Sequence, residues 1–322
     1  MLRSLLRPQP IALAIVIALL ALVPLVGERW IIDLFTEILI FALFALALNL
    51  MVGFGGLISF GHAAYFAIGA YSVAIFGTTY QWPLAAVFGA VVVLSAVTAG
   101  IIGFFSVRLS SIFFSMLTLA FAQFIWAIAH EWHSVTKGDN GYLNLARPEF
   151  ILSRPSLFYF VLVTVIVATA VLWVIVHSPF GRILISTREN PLRAEFLGVD
   201  VKRVQIIAFM ISGTFSGIAG GLLALLNRSV FPTAAWWTES AEVLIMTILG
   251  GMHSFFGPAV GAAVLLILER EITQHTQYWP TVLGVILLVV LFAFPDGLAG
   301  VTKLARFLPG RRTGRKTDRR KG

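Results

Sequence analysis

Few residues of this sequence could do chemistry inside an apolar protein. Ser59 and His62 lie within GGLISFGHAAYFAIGAYSVAI (55–75), which is otherwise apolar and rich in small residues. A segment that only anchored the chain in lipid would consist mainly of Leu, Ile and Val, because lipid penalises unpaired polar groups. We therefore expect His62 either to be a neutral imidazole bonded to a serine or a backbone carbonyl, or to line or gate a polar path.

Asn49 and Gln123 are the other polar residues expected in the middle of apolar segments. An interhelical hydrogen bond is the simpler role for each of them. Together with Ser59 and His62, they are the residues predicted to line or gate a translocation path.

Patterns typical of enzymes and metal sites are missing from the sequence. HEWH (130–133) has its histidines three positions apart, not four apart as on a zinc-protease helix. No GxSxG motif occurs, and GRRTGRKT (310–317) lacks the spacing of a phosphate-binding loop. The sequence predicts no catalytic residue, no metal site and no ATP site in this chain.

The composition indicates a helical membrane protein. Hydrophobic residues make up 59% of the chain and charged residues 12%, whereas soluble domains carry about 25% charged residues. Stretches such as PIALAIVIALLALVPLV (10–26) are apolar on every face rather than alternating, which excludes a β-barrel. The predicted fold class is an all-α polytopic membrane protein.

The sequence predicts a bundle of about eight to ten transmembrane helices with broken or re-entrant segments. The apolar blocks are 10–27, 31–53, 57–77, 83–105, 111–130, 156–177, 206–226, 241–251, 253–272 and 279–295. We expect the first block to be a retained span rather than a signal peptide, because no small-x-small cleavage site follows it. Block 241–251 would rise only about 16 Å as a helix, so it is either half of a broken crossing or one limb of a re-entrant hairpin.

The distribution of positive charge predicts the orientation. With the N-terminus inside and the spans alternating, 17 of the 23 Lys and Arg residues fall on the inner side, which favours cytoplasmic N- and C-termini. The basic tail 306–322 is expected to be a cytoplasmic flank of a permease domain at 1–305. A nucleic-acid-binding role is disfavoured because much of the excess charge lies in that tail.

A short sequence similarity between two distant parts of the chain, here called the internal echo, indicates a two-fold structural repeat. GGLISF (55–60) and GGMHSF (250–255) agree at four of six positions, and each begins a segment of small residues. Broken helices at corresponding places in two halves point to a substrate path near the repeat interface.

Small residues at helical spacing predict close approach between helices. The glycines expected to serve helix packing are Gly61, Gly69, Gly213, Gly217, Gly221, Gly257 and Gly261.

A polar inner segment, about 178–205, contains a predicted short helix at Leu192–Leu197. Asn190 is suited to cap it, Pro191 suits its first position and Gly198 its end. From these residues alone, the helix could lie on the membrane, pack back on the bundle, or dock in a groove of another protein.

Six motifs along the chain resemble a known family. They are GGLISFGHAAYFAIGAY (55–71), LTLAFAQ (117–123), KGDNGYLNL (137–145), RENPLRAEFLGVDV (188–201), SGIAGGLLAL (216–225) and LGGMHSFFGPAVGAA (249–263). Together they resemble the LivM-type permease subunits of branched-chain amino-acid ABC importers, and the resemblance covers about 51–300.

This resemblance implies a heteromeric importer in a bacterial inner membrane. The implied partners are a second, LivH-like permease subunit, two cytoplasmic ATPases that bind the ATP, and a periplasmic substrate-binding protein. The short inner helix then becomes the coupling helix that fits an ATPase groove, with Arg188, Glu189, Ala194 and Gly198 in the coupling loop. The short outer loop favours amino acids over urea or another small amide.

Two other classes of protein are less well supported by the sequence. A stand-alone secondary transporter normally uses carboxylates within its spans for ion coupling, and the middle of these spans lacks them. A membrane-embedded enzyme would need an acid, a base and a nucleophile that converge, and no such set is evident.

Overall fold

The computed structural model describes residues 8–26, 28–109 and 111–275, and isolated positions between 278 and 298. The described residues form twelve α-helices. They are α1 (Pro8–Val26), α2 (Arg29–Asn49), α3 (His62–Ser72), α4 (Leu84–Ser106), α5 (Ser111–Glu131), α6 (His133–Thr136), α7 (Arg154–His177), α8 (Pro179–Glu189), α9 (Pro191–Phe196), α10 (Val201–Asn227), α11 (Trp237–Gly250) and α12 (Gly257–His275).

Strand structure in the described residues is limited to one antiparallel pair of two-residue strands, β1 (Tyr142–Leu143) and β2 (Ser229–Val230). The pair joins the loop after α6 to the end of α10. The prediction of an all-α membrane protein is confirmed.

Five described helical segments are long and apolar enough to cross a membrane. They are Arg29–Phe54, Leu84–Ser106, Ile112–Glu131, Arg154–His177 and Val201–Asn227. The first of them includes a π-helical continuation of α2 at Leu50–Phe54. At 14 residues, α11 is too short to cross alone, as block 241–251 predicted. Most of the predicted block 279–295 and the whole tail 306–322 lie outside the described residues.

Helix α10 lies at the centre of the bundle and packs against α2, α3 and α4. The contacts of α10 with α3 are backbone to backbone, because a methyl group at Gly69 would overlap the carbonyl oxygen of Gly217, and one at Gly220 would overlap that of Phe66. Gly250, Gly257 and Gly261 allow a similar approach of α11 to α12.

The predicted helix at 57–77 is wrong at its start. Residues 55–61 form a non-helical loop, and α3 begins only at His62. Two side chains of α5 hold this loop in place. Ser115 Oγ donates to the carbonyl oxygen of Ile58 at 2.6 Å, and Thr118 Oγ1 accepts from the Phe60 N–H at 3.2 Å. External partners thus replace the helical hydrogen bonds of this segment.

The two copies of the internal echo have the same backbone break. In each copy a helical segment ends near a Gly-Gly pair, and the second glycine has positive φ, +72° at Gly56 and +106° at Gly251. Only glycine adopts such a conformation at little cost. A further helix follows each break, α3 in the first copy and α12 in the second.

The bundle has two ends. The end of α2, the loop 55–61, α8, α9 and the loop 251–256 lie at what we call the Arg188 end. The starts of α2 and α7, the end of α10 and the β1–β2 pair lie at the opposite end, which we call the Arg147 end.

Candidate translocation and coupling site

His62 is the centre of a buried chain of hydrogen bonds. Its Nδ1 lies 3.0 Å from Ser59 Oγ and its Nε2 lies 2.7 Å from Ser212 Oγ. Ser212 Oγ donates to the carbonyl oxygen of Ala47 at 2.5 Å, so it accepts from an Nε2–H of His62. Nδ1 then accepts from the Ser59 hydroxyl, and this neutral tautomer satisfies both ring nitrogens.

Burial of this chain is complete, since the side chains of Ser59, His62 and Ser212 all have zero exposure. The imidazole also makes edge-to-face contacts with Tyr65 and Phe209, at ring-centroid distances of 5.7 and 5.6 Å. These bonds join the loop 55–61 and α3 to α2 and α10. The geometry corresponds to the serine-bonded neutral imidazole, one of the two roles that the sequence left open.

A serine of α11 holds the start of α3. Ser240 Oγ accepts from the Ala63 N–H at 2.8 Å, and Ser240 is fully buried. This bond satisfies one of the N–H groups that a helix leaves unpaired in its first turn. Helix α11 thus contacts α3 at the residue after His62.

Asn49 joins the two broken segments at the Arg188 end. Its Nδ2 donates to the carbonyl oxygen of Ser254 at 3.2 Å, whereas its buried Oδ1 has no partner among the described residues. A methyl group at Gly53 would overlap the carbonyl oxygen of Met252. The end of the first helical segment, at Gly53, therefore meets the second copy of the internal echo, at Met252, backbone to backbone beside Asn49.

Gln123 does not join Asn49, Ser59 and His62 in one hydrogen-bonded cluster. It lies in α5, and its buried Nε2 has no partner in the described part of the chain. Buried polar atoms without partners are rare and call for a specific explanation.

Arg188 connects the inner segment to both broken segments. From the last turn of α8, its Nη1 donates to the carbonyl oxygen of Gly53 and its Nη2 lies 2.9 Å from His253 Nε2. A methyl group at Gly56 would lie 2.6 Å from Arg188 Cγ, so this glycine also leaves room for the arginine. One guanidinium thus contacts residues of both broken segments, Gly53 in the first and His253 in the second.

The short inner helix forms as the sequence predicted. α9 is capped by Asn190, whose Oδ1 accepts from the Arg193 N–H at 2.9 Å, and Gly198 ends it with φ of +85°. Ala194 packs inward with 3% exposure, whereas Phe196 is 90% exposed. Leu192 and Leu197 are also exposed. Glu189 is exposed at the junction of α8 and α9.

Sequence reasoning missed the partners of these residues. Ser212, Ser240, His253 and Thr118 are not predicted from the sequence as partners of Asn49, Ser59, His62 or Arg188. The GGMHSF echo was the one signal that could have drawn attention to His253. Within the described residues, no group of three or more His, Cys, Asp or Glu side chains could hold a metal ion.

The helical bundle with its broken segments defines a polytopic membrane protein. A family model described as the permease component of branched-chain amino acid transport systems matches residues 30–293. The chain belongs to this family.

Several permease proteins are similar to the chain over most of its length. The high-affinity branched-chain amino acid transport system permease protein LivM of Escherichia coli (strain K12) is 28% identical over 92% of this chain and 76% of its own. LivM of Salmonella typhimurium (strain LT2) is 29% identical over 87% of this chain and 72% of its own. The corresponding LivH protein of Escherichia coli (strain K12) is 24% identical over 81% of this chain and 91% of its own. No solved structure matches the chain.

Proposed function

We propose that this chain is a transmembrane permease subunit of an ATP-driven importer that moves branched-chain or related hydrophobic amino acids from periplasm to cytoplasm. A second, LivH-like permease subunit completes the path, two cytoplasmic ATPases bind the ATP, and a periplasmic protein delivers the substrate. In this arrangement the Arg188 end faces the cytoplasm and the Arg147 end faces the periplasm.

The observation that carries the proposal is the connection between α9 and the broken segments. α9 presents Leu192 and Phe196 to the exterior at the Arg188 end, and the next residue, Leu197, is exposed beside them. An aromatic side chain exposed to this degree suits a groove on another protein, because such anchors dominate protein interfaces. Of the three roles open from sequence, docking on an ATPase is the one we propose.

Movement of α9 would reach the bundle through Arg188. α8 and α9 are joined at Asn190, and Arg188 in the last turn of α8 contacts Gly53 and His253. An ATPase that contacts α9 differently in its two nucleotide states would therefore bias the position of both broken segments. Glu189, Ala194 and Gly198 would maintain the shape of this coupling loop.

The polar residues near the broken segments have two proposed roles. Asn49 and Gln123 have buried polar atoms without described partners, so they are the residues we favour for contact with a polar substrate group or water in another conformation. Ser59 and His62 would act indirectly, by fixing the loop 55–61 against α10.

The proposal is tested by reconstituting the five-part complex in proteoliposomes with Phe196→Ala in this chain. We expect the affinity for the ATPases to fall about 30-fold or more, as for the loss of an interface anchor worth roughly 2 kcal/mol. Phe150→Ala is the matched control, because Phe150 is also exposed but lies beside α7 at the Arg147 end. Amino-acid uptake that proceeds without any ATPase, driven by an ion gradient, would overturn the proposal in favour of a secondary transporter.

A further inference from the structure

A polar cavity of about 380 Å³ lies at the Arg147 end, outside the site described above. Its lining residues come from α2, α7, the end of α10 and the segment before α7. They are Asp33, Arg147, Leu152, Arg154, Leu157, Leu226, Asn227 and Arg228. Three guanidinium groups thus share one cavity with a single carboxylate, in a volume typical of small-molecule sites.

Arg147 is fixed in place by the end of α10. Its Nε donates to the carbonyl oxygen of Leu225 at 2.7 Å, and its Nη2 donates to that of Leu226 at 2.8 Å. These carbonyls belong to the last turn of a helix, where acceptors lack intrahelical partners. A guanidinium has five N–H groups, so Arg147 retains others that these two bonds do not use.

Arg147 and Arg228 share one nearby carboxylate, Asp33, which already has a guanidinium partner. Asp33 is engaged by Arg154, with a distance of 2.5 Å between Oδ2 and Nη1. Neither Arg147 nor Arg228 forms an ion pair with a described residue. Burial lowers the pKa of Arg147, and repulsion from Arg228 lowers it further, although a guanidinium stays protonated in proteins.

An adjoining open cavity of about 630 Å³ extends the positive region. It shares Asp33 and Arg154 with the first cavity and adds Glu28, Arg29, Trp30 and Arg270. Arg270 lies over the Trp30 ring at 5.6 Å. Five arginines therefore face two carboxylates across the two cavities, although the positive-inside rule disfavours such residues on a periplasmic side.

We propose that the cavity formed by Arg147, Arg154 and Arg228 binds an oxyanion, and that the phosphate of an anionic phospholipid supplies it. Guanidinium groups bind phosphate and carboxylate with paired hydrogen bonds. Leu152 and Leu157 give the cavity apolar walls, and Trp30, 46% exposed beside the adjoining cavity, is of the type enriched at the membrane interface. The carboxylate of a free amino acid is the other source of the same chemistry.

The test compares the full-length protein in nanodiscs of phosphatidylcholine with nanodiscs that also contain phosphatidylglycerol. We expect phosphatidylglycerol to raise the melting temperature by roughly 2–4 °C and Arg228→Gln to abolish the rise. Arg228 suits this test because it is exposed and, among the described residues, its side chain donates to one carbonyl oxygen, that of Leu145, at 3.3 Å. Arg108→Gln is the matched control, because Arg108 stacks on Phe104 at the opposite end of the bundle.

Further measurements with free anions distinguish a phospholipid phosphate from a free amino acid or inorganic phosphate as the source of the oxyanion. Stabilisation by L-leucine or inorganic phosphate in phosphatidylcholine alone, lost in Arg228→Gln, would retain the oxyanion site and overturn the lipid as its source. An equal response of the wild type and Arg228→Gln to phosphatidylglycerol, with no effect of the free anions, would overturn the site itself. Transport activity is not part of the readout, so the result is independent of the proposed importer function.

Discussion

His62 Nε2 and Ser212 Oγ lie 2.7 Å apart in the centre of the bundle, although 150 positions separate the two residues in the chain. This bond joins α3, which follows the first broken segment, to the central helix α10. Because Ser212 in turn donates to Ala47, one imidazole holds three segments of the bundle together. The polar residues of segment 55–75 thus attach neighbouring helices to one another.

Ser212→Ala is predicted to destabilise the protein by about 1–3 kcal/mol, because it leaves a buried donor of His62 without a partner. The measurement is the free energy of unfolding in detergent. Thr98→Ala is the matched control, since Thr98 is partly exposed and its hydroxyl donates only to Leu94 on its own helix. Equal losses for the two variants would contradict the role assigned to the buried network.

Gly69→Ala is predicted to cost at least about 1–3 kcal/mol, because the added methyl group would overlap the backbone of Gly217 and force α3 away from α10. Gly89→Ala makes the same chemical change on α4, where the added carbon would have no described neighbour within 4 Å apart from the adjoining residues and backbone of its own helix. That control should be neutral, or stabilising by roughly 0.5–1 kcal/mol through helix propensity. Similar unfolding free energies for both variants would show that α3 and α10 do not depend on this close approach.

Local sequence signals predicted the parts of the fold that depend on neighbouring residues. The Asn190-Pro191 start and the Gly198 end of α9 were recognisable because caps and left-handed ends act within one turn. The length of block 241–251 was sufficient to show that α11 cannot cross alone.

Features that depend on distant residues were not predictable in the same way. The loop 55–61 contains apolar residues compatible with a helix, but its hydrogen-bond partners lie on α5, about 57 positions later. The contact of Arg188 with Gly53 spans 135 positions. No local pattern encodes such pairs, because tertiary packing decides them.

Arg188→Gln is predicted to uncouple ATP hydrolysis from uptake. The variant loses the charge-assisted bond to Gly53. Such bonds contribute about 1.5–3 kcal/mol, so a bond made in only one access state limits the expected loss of transport per ATP to roughly 10–100-fold. We expect basal hydrolysis to change little, because the proposed ATP sites lie on partner subunits, and the melting temperature to fall by no more than a few degrees, because Arg188 is exposed at the bundle end. Uptake and hydrolysis are measured together in the reconstituted complex.

The control for Arg188 is Arg182→Gln, which removes an exposed arginine from the same helix α8. Arg188→Lys should recover only part of the coupling, because an ammonium cannot present the planar fork that reaches Gly53 and His253 together. Full coupling in Arg188→Gln would rule out this residue as the link between α9 and the broken segments.

The ion pair of Arg154 with Asp33 is predicted to contribute little to stability. The side chains are 48% and 36% exposed, and pairs with such access to water are worth about 0–1 kcal/mol. A double-mutant cycle with Arg154→Gln and Asp33→Asn measures the coupling energy from the unfolding free energies of four proteins. That energy should fall as salt is added, because exposed charges are screened. A salt-insensitive coupling well above about 1 kcal/mol would instead identify the pair as a structural connection between α2 and α7.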